Sequence, residues 1–312
     1  MKSKNKLALL LVVLCLLLTG CTRYLSDDNK KRITNDETGQ SLPSNILCKP
    51  TEEKLLKIYE KYEDKLEFKL NKLPDCKDLP LYNSKTYTGL WAQIFIIPLA
   101  WYIIKVGTVV KSYGVAVMLV GLLIRIIMAP FTMKAAKQSE NMKKAQPELN
   151  RLEQKYKTRT ESDAMMQKSQ EMMAIYKKYN ISPLGSCLLS FVQFPLFLAF
   201  LEAVNRIPAI FESKLWTLQL GTTPFKGISG GNYWYILIVV LIILTTYLSF
   251  KFNMNSVGSP EQEKQMKFVT NFMLIFISIA SLFSLPTAIA LYWIVTNGFS
   301  VLQNLIMKKR RS

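Results

Sequence analysis

The chain has 312 residues, half of them hydrophobic, with 40 Lys and Arg against 22 Asp and Glu and a net charge of +18. It contains no histidine, which excludes histidine-ligated metal centres, Ser-His-Asp triads and Cys-His pairs. No P-loop and no Gly-x-Gly-x-x-Gly fingerprint occurs, so the sequence leads to no enzyme, cofactor or metal. A soluble protein this basic would suggest nucleic-acid binding. Several runs of about 20 apolar residues instead make a helical membrane protein the first reading. The basic excess then fixes topology and contacts anionic lipid or ribosomal RNA.

Lys2, Lys4 and Lys6 precede the apolar run Leu7 to Leu18, and LTGC follows at 18–21. A basic start, a short apolar stretch and small residues before a cut describe a signal peptide over 1–20. The LTGC ending resembles the lipobox of bacterial lipoproteins, which implies a lipid-modified (palmitate-bearing) Cys21 outside the cell. The alternative is an uncleaved signal anchor, although about 12 apolar residues are short for a span.

Residues 21–88 form a polar extracytoplasmic segment with no span. Within it, 51–73 reads as one amphipathic helix, with Leu55, Ile58, Tyr59, Tyr62, Leu66, Leu70 and Leu73 near helical spacing. Cys48 and Cys76 flank it on the oxidising side of the membrane, so a disulfide is one outcome. A straight helix would hold its ends about 30 Å apart, so that bond requires the chain to fold back. Next, 89–110 is apolar but interrupted by Pro98 and Lys105, with Trp91, Trp101 and Tyr102 suited to a membrane surface. It reads as an interfacial amphipathic helix on the outer face. Were it to span, the following basic loop would face outward, against the positive-inside rule.

The core, 111–308, carries five transmembrane helices at about 114–133, 183–204, 233–250, 268–285 and 287–307. The loop 134–180 holds eleven Lys and Arg, whereas the loop 205–232 has only Arg206, Lys214 and Lys226. The tail, 309–312 after Lys308, is basic again. These counts put the N-terminus outside and the C-terminus in the cytoplasm of a multi-pass protein of the bacterial cell membrane. The 134–180 loop is itself patterned. Met142, Ala145, Leu149, Leu152 and Tyr156 make one stripe, and Met165, Met172, Tyr176 and Tyr179 another. Thr160-x-x-Asp163 has the form of a capping box. A cytoplasmic helical hairpin follows, the bland alternative being a solvated linker; its methionines offer an adaptable surface to partners. The fold class is thus all-α and polytopic, with five spans, a cytoplasmic hairpin and an outer interfacial helix.

Arg125 stands inside the apolar run of the first span. A charge at bilayer depth costs from about 3 to more than 10 kcal/mol, so it persists where protein or water solvates it. The bland reading is an anchor that snorkels to the surface. At least six residues separate it from the inner end of its span, roughly 9–12 Å at helical rise, which snorkelling hardly closes. The spans also carry polar stripes: Gly121, Arg125 and Thr132; Ser186, Ser190 and Gln193; Thr245, Thr246 and Ser249; Asn271, Ser278 and Ser281; Tyr292, Thr296, Ser300 and Gln303. Small polar residues often glue helices together. That accounts poorly for Arg125, because no span offers a deep carboxylate. A water-filled cavity around Arg125 explains the set better. A small-solute or anion transporter using Arg125 as its binding site is the competing class, although it predicts internal repeats that the chain lacks.

Three motifs resemble the YidC family of membrane-protein insertases. They are QEMMAIYKKYNISPLGSC (170–187) ahead of QFP (193–195), LPTAIALYWIVTN (285–297), and Arg125 with Pro130 five residues on; Gln146-Pro147 in the hairpin agrees. The resemblance covers about 88–308. It implies a five-helix core with a hydrophilic groove open to cytoplasm and lipid but closed outside. It also implies an insertase and folding chaperone acting on nascent membrane proteins, alone or with the Sec translocon. Arg125, Gln193, Tyr292, Thr296, Ser300 and Gln303 would line the groove. The hairpin and basic tail would receive the ribosome or a targeting receptor, with membrane lipids as further contacts. Two departures stand out. Gly121 replaces a polar residue often found one turn before the arginine, and a small lipobox-bearing segment stands where Gram-negative members have a large folded domain. The second departure resembles the Gram-positive members.

Overall fold

The computed structural model describes residues 22–81, 89–159, 161–182, 195–253 and 260–309. Cys21, Thr160, Ser186, Ser190 and Gln193 lie outside the described residues, as do the signal peptide and the last three residues of the tail. The chain divides into two compact units. The first comprises Met1–Leu122, Phe194–Val240 and Ala280–Val295, and the second Leu123–Gln193, Leu241–Ile279 and Thr296–Ser312.

In the first unit, residues 24–43 double back on themselves through the bridges Tyr24–Pro43, Ser26–Arg32 and Thr34–Ser41. Helix α1 (Glu53–Lys61) follows. The expected 51–73 helix stops there, giving way to single 3-10 turns at Glu63–Lys65 and Leu70–Lys72. The amides a longer helix would use are taken elsewhere: Leu70 N–H donates to Glu63 Oε1 (3.0 Å) and Glu67 N–H to the Ser44 carbonyl (3.0 Å). Folding back brings Leu70 and Leu73 into one core with Leu25, Leu42, Ile46, Leu55 and Tyr59, with Leu66 packed against it. It also brings Cys48 to Cys76, which are joined by a disulfide of 2.09 Å.

This segment is tied to the loop 205–232 by bonds between residues far apart in sequence. Arg206, buried, donates from Nε to the Asn45 carbonyl (2.7 Å), and its own carbonyl accepts from Leu47 N–H (2.9 Å). Glu212 accepts the amides of Thr51 (2.7 Å) and Glu52 (3.1 Å) and the Thr51 hydroxyl, filling the capping role at the start of α1. Thr222 Oγ1 donates to the Thr38 carbonyl (2.9 Å), and the Thr222 carbonyl accepts both N–H (2.9 Å) and Oγ1–H (2.7 Å) of Thr287.

A π-helical turn, Ala92–Ile96, runs directly into helix α2 (Ile97–Val110), with Pro98 just after the junction. Lys111 ends it in the left-handed conformation (φ 54°). A Cβ on Gly107 would come within 2.5 Å of the Tyr113 ring, so only glycine lets the next helix begin this close. Lys105 Nζ donates to the Lys77 carbonyl (3.3 Å), and the Trp91 indole lies beside Glu202.

Helix α3 runs unbroken over Tyr113–Tyr156, 44 residues and about 66 Å at helical rise. The helix does not stop with the apolar run expected to end near 133: helix-forming residues without glycine continue it through Pro130 and Pro147 into the first arm of the hairpin. Helix α4 (Ser162–Lys178) is the second arm. Lys155 pairs with Glu171 (2.6 Å) and Lys178 with Glu148 (2.5 Å), a register that only antiparallel arms satisfy. Ala145 and Leu149 pack with Ile181, and Leu152 and Tyr156 with Ala164. Met165, expected on the inner stripe, is exposed and Ala164 takes its place. The N-cap is Glu161, which makes no side-chain capping bond.

The remaining elements are α5 (Pro195–Asn205), α6 (Pro208–Phe211), a two-residue hairpin of β1 (Lys214–Leu215) and β2 (Leu218–Gln219), α7 (Pro224–Ser229), α8 (Trp234–Asn253), α9 (Pro260–Phe283) and α10 (Thr287–Lys309). Among the described residues four helices are long and apolar enough to cross a membrane: Ala92–Val110, Tyr113–Tyr156, Trp234–Phe252 and Thr287–Met307. The set differs from the expected five. Ala92–Val110 qualifies by length and composition; of the second expected span only Pro195–Asn205 falls among the described residues, and the fourth is represented by the apolar stretch Leu274–Phe283 of α9. Helix α9 nevertheless exposes Phe268, Phe272, Ile275, Phe276 and Ile279, and α8 exposes Ile236, Leu237, Val240 and Leu244. Apolar faces this long belong in lipid rather than water.

Candidate functional site

Arg125 lies on α3 within the second unit and is partly buried. Its flanking residues Ile124 and Met128 are buried, while Ile126 and Ile127 are exposed on the other side of the helix. One side of this helix therefore meets protein and the other is left for lipid. Two turns after Arg125, the Thr132 hydroxyl donates to the Ala129 carbonyl (2.9 Å) and accepts from Gln303 Nε2 (2.9 Å). Gln303 also reaches the Ala129 carbonyl (3.4 Å). The arginine-bearing helix and α10 are thus joined by polar groups, and Thr296 stands two turns before Gln303 just as Arg125 stands two turns before Thr132.

The other expected polar positions divide into two kinds. Asn297 Nδ2 donates to Thr246 Oγ1 (3.1 Å), a buried bond between α10 and α8. Thr245, Ser278 and Ser300 instead return their hydroxyls to carbonyls four residues earlier on their own helices (2.7, 2.7 and 3.0 Å). Such bonds hide a hydroxyl from lipid without joining two helices. Thr296 is buried at 2 % exposure, and Ser300 is half-buried. The sequence named Thr246 but not its pairing with Asn297.

Tyr292 is held by ring packing. It belongs to the first unit, is only 3 % exposed, and stacks on Phe200 with ring centroids 4.0 Å apart at 24°. Phe197 lies over the same ring at 6.1 Å and over Trp293 at 5.1 Å. These contacts make an aromatic core between α5 and α10. Of the six expected groove residues, the described contacts gather Gln303 with the arginine helix, leave Tyr292 in the aromatic core, and say nothing of Gln193.

A family model described as "60Kd inner membrane protein" matches residues 105–312. "Membrane protein insertase YidC" of Oceanobacillus iheyensis is 32% identical over 242 residues, which is 76% of this chain and 91% of that protein. "Membrane protein insertase YidC 1" of Listeria monocytogenes is 33% identical over 222 residues, 70% of this chain and 72% of that protein. A solved structure described as "Active YidC insertase crystal structure with the first transmembrane domain resolved" shares 18% identity with a TM-score of 0.46. That match covers 72% of this chain and 48% of the solved one, so the chain spans about half its length. With two thirds of its length matched by the family model and insertases of Gram-positive genera at about a third identity, the chain belongs to the 60Kd inner membrane protein family, that of the YidC insertases.

Proposed function

We propose that this chain inserts nascent membrane proteins into the cytoplasmic membrane, by lowering the barrier to a polar segment beside Arg125. The protein is a membrane protein insertase by family, and its work is the movement of a chain rather than the making of bonds. The observation that carries the mechanism is the Thr132–Gln303 contact, which lines the helix junction with hydrogen-bonding groups two turns from Arg125. A charge and several hydroxyls and amides along two adjoining helices favour water at a depth where lipid alone would exclude it. The guanidinium attracts acidic residues in the translocating end of a substrate. Thr296, Ser300, Gln193 and Gln303 solvate its backbone, and its apolar helix leaves for lipid past exposed Ile126 and Ile127.

In this reading five helices span the membrane, with the N-terminus outside and the C-terminal tail in the cytoplasm. The Ala92–Val110 helix lies along the outer surface. Contacts at both of its ends support this: Trp91 lies by Glu202 at one end, and Lys105 meets Lys77 near the other, so neither end leaves the level of the outer segment. Residues 1–20 act as a lipoprotein signal and Cys21 carries the lipid. The hairpin and tail receive the ribosome or a targeting receptor, and the Sec translocon shares some substrates.

Arg125→Ala should abolish insertion of substrates whose translocated ends carry acidic residues, while Arg125→Lys keeps much of it. Complementation of an insertase-depleted strain reads the result. Full complementation by Arg125→Ala would rule out the electrostatic part of the mechanism.

A further inference from the structure

We propose that the β1–β2 hairpin is a membrane-surface anchor, whose tip residue Trp216 seats in the carbonyl and glycerol zone of the outer lipid leaflet. One side of this hairpin is committed to protein: Leu218 is buried and Leu215 meets Gly114. Trp216 turns the other way and is 89 % exposed, the most exposed large apolar side chain among the described residues. It adopts a left-handed backbone (φ 54°), a conformation that glycine or asparagine fills with little strain at a hairpin turn. A tryptophan held there is held for where its side chain goes.

Its surroundings identify the occupant. Asn232 Nδ2 donates to the Thr217 carbonyl (2.8 Å), and the Gln219 amide donates to the Tyr235 hydroxyl (2.7 Å), fixing the tip level with the start of α8. There Tyr233 and Trp234 are also exposed, at 72 % and 63 %. Thr217, Gly230, Gly231, Asn232, Tyr233 and Trp234 line one open concavity beside the tip. Directly along α8 the exposed side chains become Ile236, Leu237 and Val240. A patch of indole and phenol rings continuous with a lipid-facing aliphatic strip is the composition of an interfacial belt, where amphipathic rings sit between headgroup and tail. Lys214 on the same hairpin adds a cation suited to anionic headgroups.

The inference rests on α8 crossing the membrane with Trp234 at its outer end. The test uses the full-length protein in nanodiscs holding one copy each, made with lipids brominated at shallow or deep acyl positions. Tryptophan emission is compared for the unchanged protein, Trp216→Phe and Trp234→Phe. Removal of Trp216 should delete a blue-shifted component that shallow bromines quench more than deep ones and that aqueous acrylamide leaves largely intact. A deleted component that is red-shifted, acrylamide-quenched and untouched by bromine overturns the anchor. So does lipid-independent shielding of Trp216 that arises only when two copies share a disc, which would make the tip a contact between copies. If Trp234 is bromine-quenched and Trp216 is not, the anchor fails while the span reading stands. If neither is quenched, both fall.

Discussion

The segment of residues 22–81 and the α3–α4 hairpin are both small additions to the long apolar helices, yet they are held by opposite means. The 22–81 segment is closed by a disulfide across 28 residues and by buried bonds to partners more than 160 residues away. The hairpin is closed by neighbours, with ion pairs 16 and 30 residues apart on exposed side chains over a thin core of Ala145, Leu149, Leu152 and Tyr156. Solvated ion pairs contribute little, and salt screens them. Few buried contacts and exposed bonds mark the low-stability end of a structure, the usual place for parts that move on binding. Residues 22–81 are therefore stapled, while the α3–α4 hairpin is only lightly closed.

The largest break in this contrast comes from Cys48→Ser with Cys76→Ser. Opening a 28-residue loop should cost roughly 3–4 kcal/mol, lowering the unfolding midpoint of a segment this small by on the order of 15 °C. Differential scanning of purified protein, oxidised against reduced, measures it, and an unchanged midpoint would mean the segment owes its stability to its bonds with the loop 205–232 rather than to the disulfide. Next, Thr222→Val removes the donor to the Thr38 carbonyl and leaves that buried acceptor unmet, at about 1–2 kcal/mol. Hydrogen exchange should rise in residues 33–47 and spare the hairpin; equal exchange in both would erase the distinction between them. Smallest is Lys155→Ala with Lys178→Ala, for which the unfolding midpoint should stay put while proteolysis between the hairpin arms quickens at low salt.

The hairpin also has a pH signature. Hydrogen bonds from Lys178 and then Tyr179 hold the Glu148 carboxyl below the usual glutamate range, and Lys155 and then Tyr156 do the same for Glu171. Because the folded values lie below the unfolded ones, this contribution is complete above the ordinary glutamate value and is lost as pH falls through the lowered folded values. Carboxyl-carbon shifts of labelled glutamates should show both groups titrating low. Titration at the ordinary value would mean the pairs do not form in solution.

Three of the expected spans, at about 114–133, 233–250 and 287–307, were legible because apolar runs of bilayer length need no partner to be recognised, and the motifs around Pro183, Pro286 and Arg125 led to the family. The hairpin stripes were legible as a period, but Met165 shows the limit: a one-residue shift puts Ala164 inside and the methionine out. The 51–73 helix failed because spacing reports which side chains are buried, not which elements bury them. Leu55 and Leu70 share a core across a fold-back as readily as along one helix. The ring packing of Tyr292 had no signal for a related reason, since a hydroxyl on a polar stripe belongs to a large ring and the period does not show that Phe200 stacks on it. The Arg206–Asn45 and Thr222–Thr38 bonds had no signal at all, because nothing local marks a partner 161 or 184 residues distant.

Those distances have a consequence in time. Residues 22–81 emerge from the ribosome long before the loop 205–232 that secures them, and at 5–20 residues per second a gap of 161 residues lasts on the order of 10–30 s. During that wait the segment has only its own resources, the Leu25–Leu42–Tyr59 core and the Cys48–Cys76 bond, both complete within its own residues. The disulfide is thus placed to keep a small domain folded until its permanent partners arrive. The loop 205–232 in turn precedes α8, α9 and α10 in the chain, so these partners arrive before the last three helices are made.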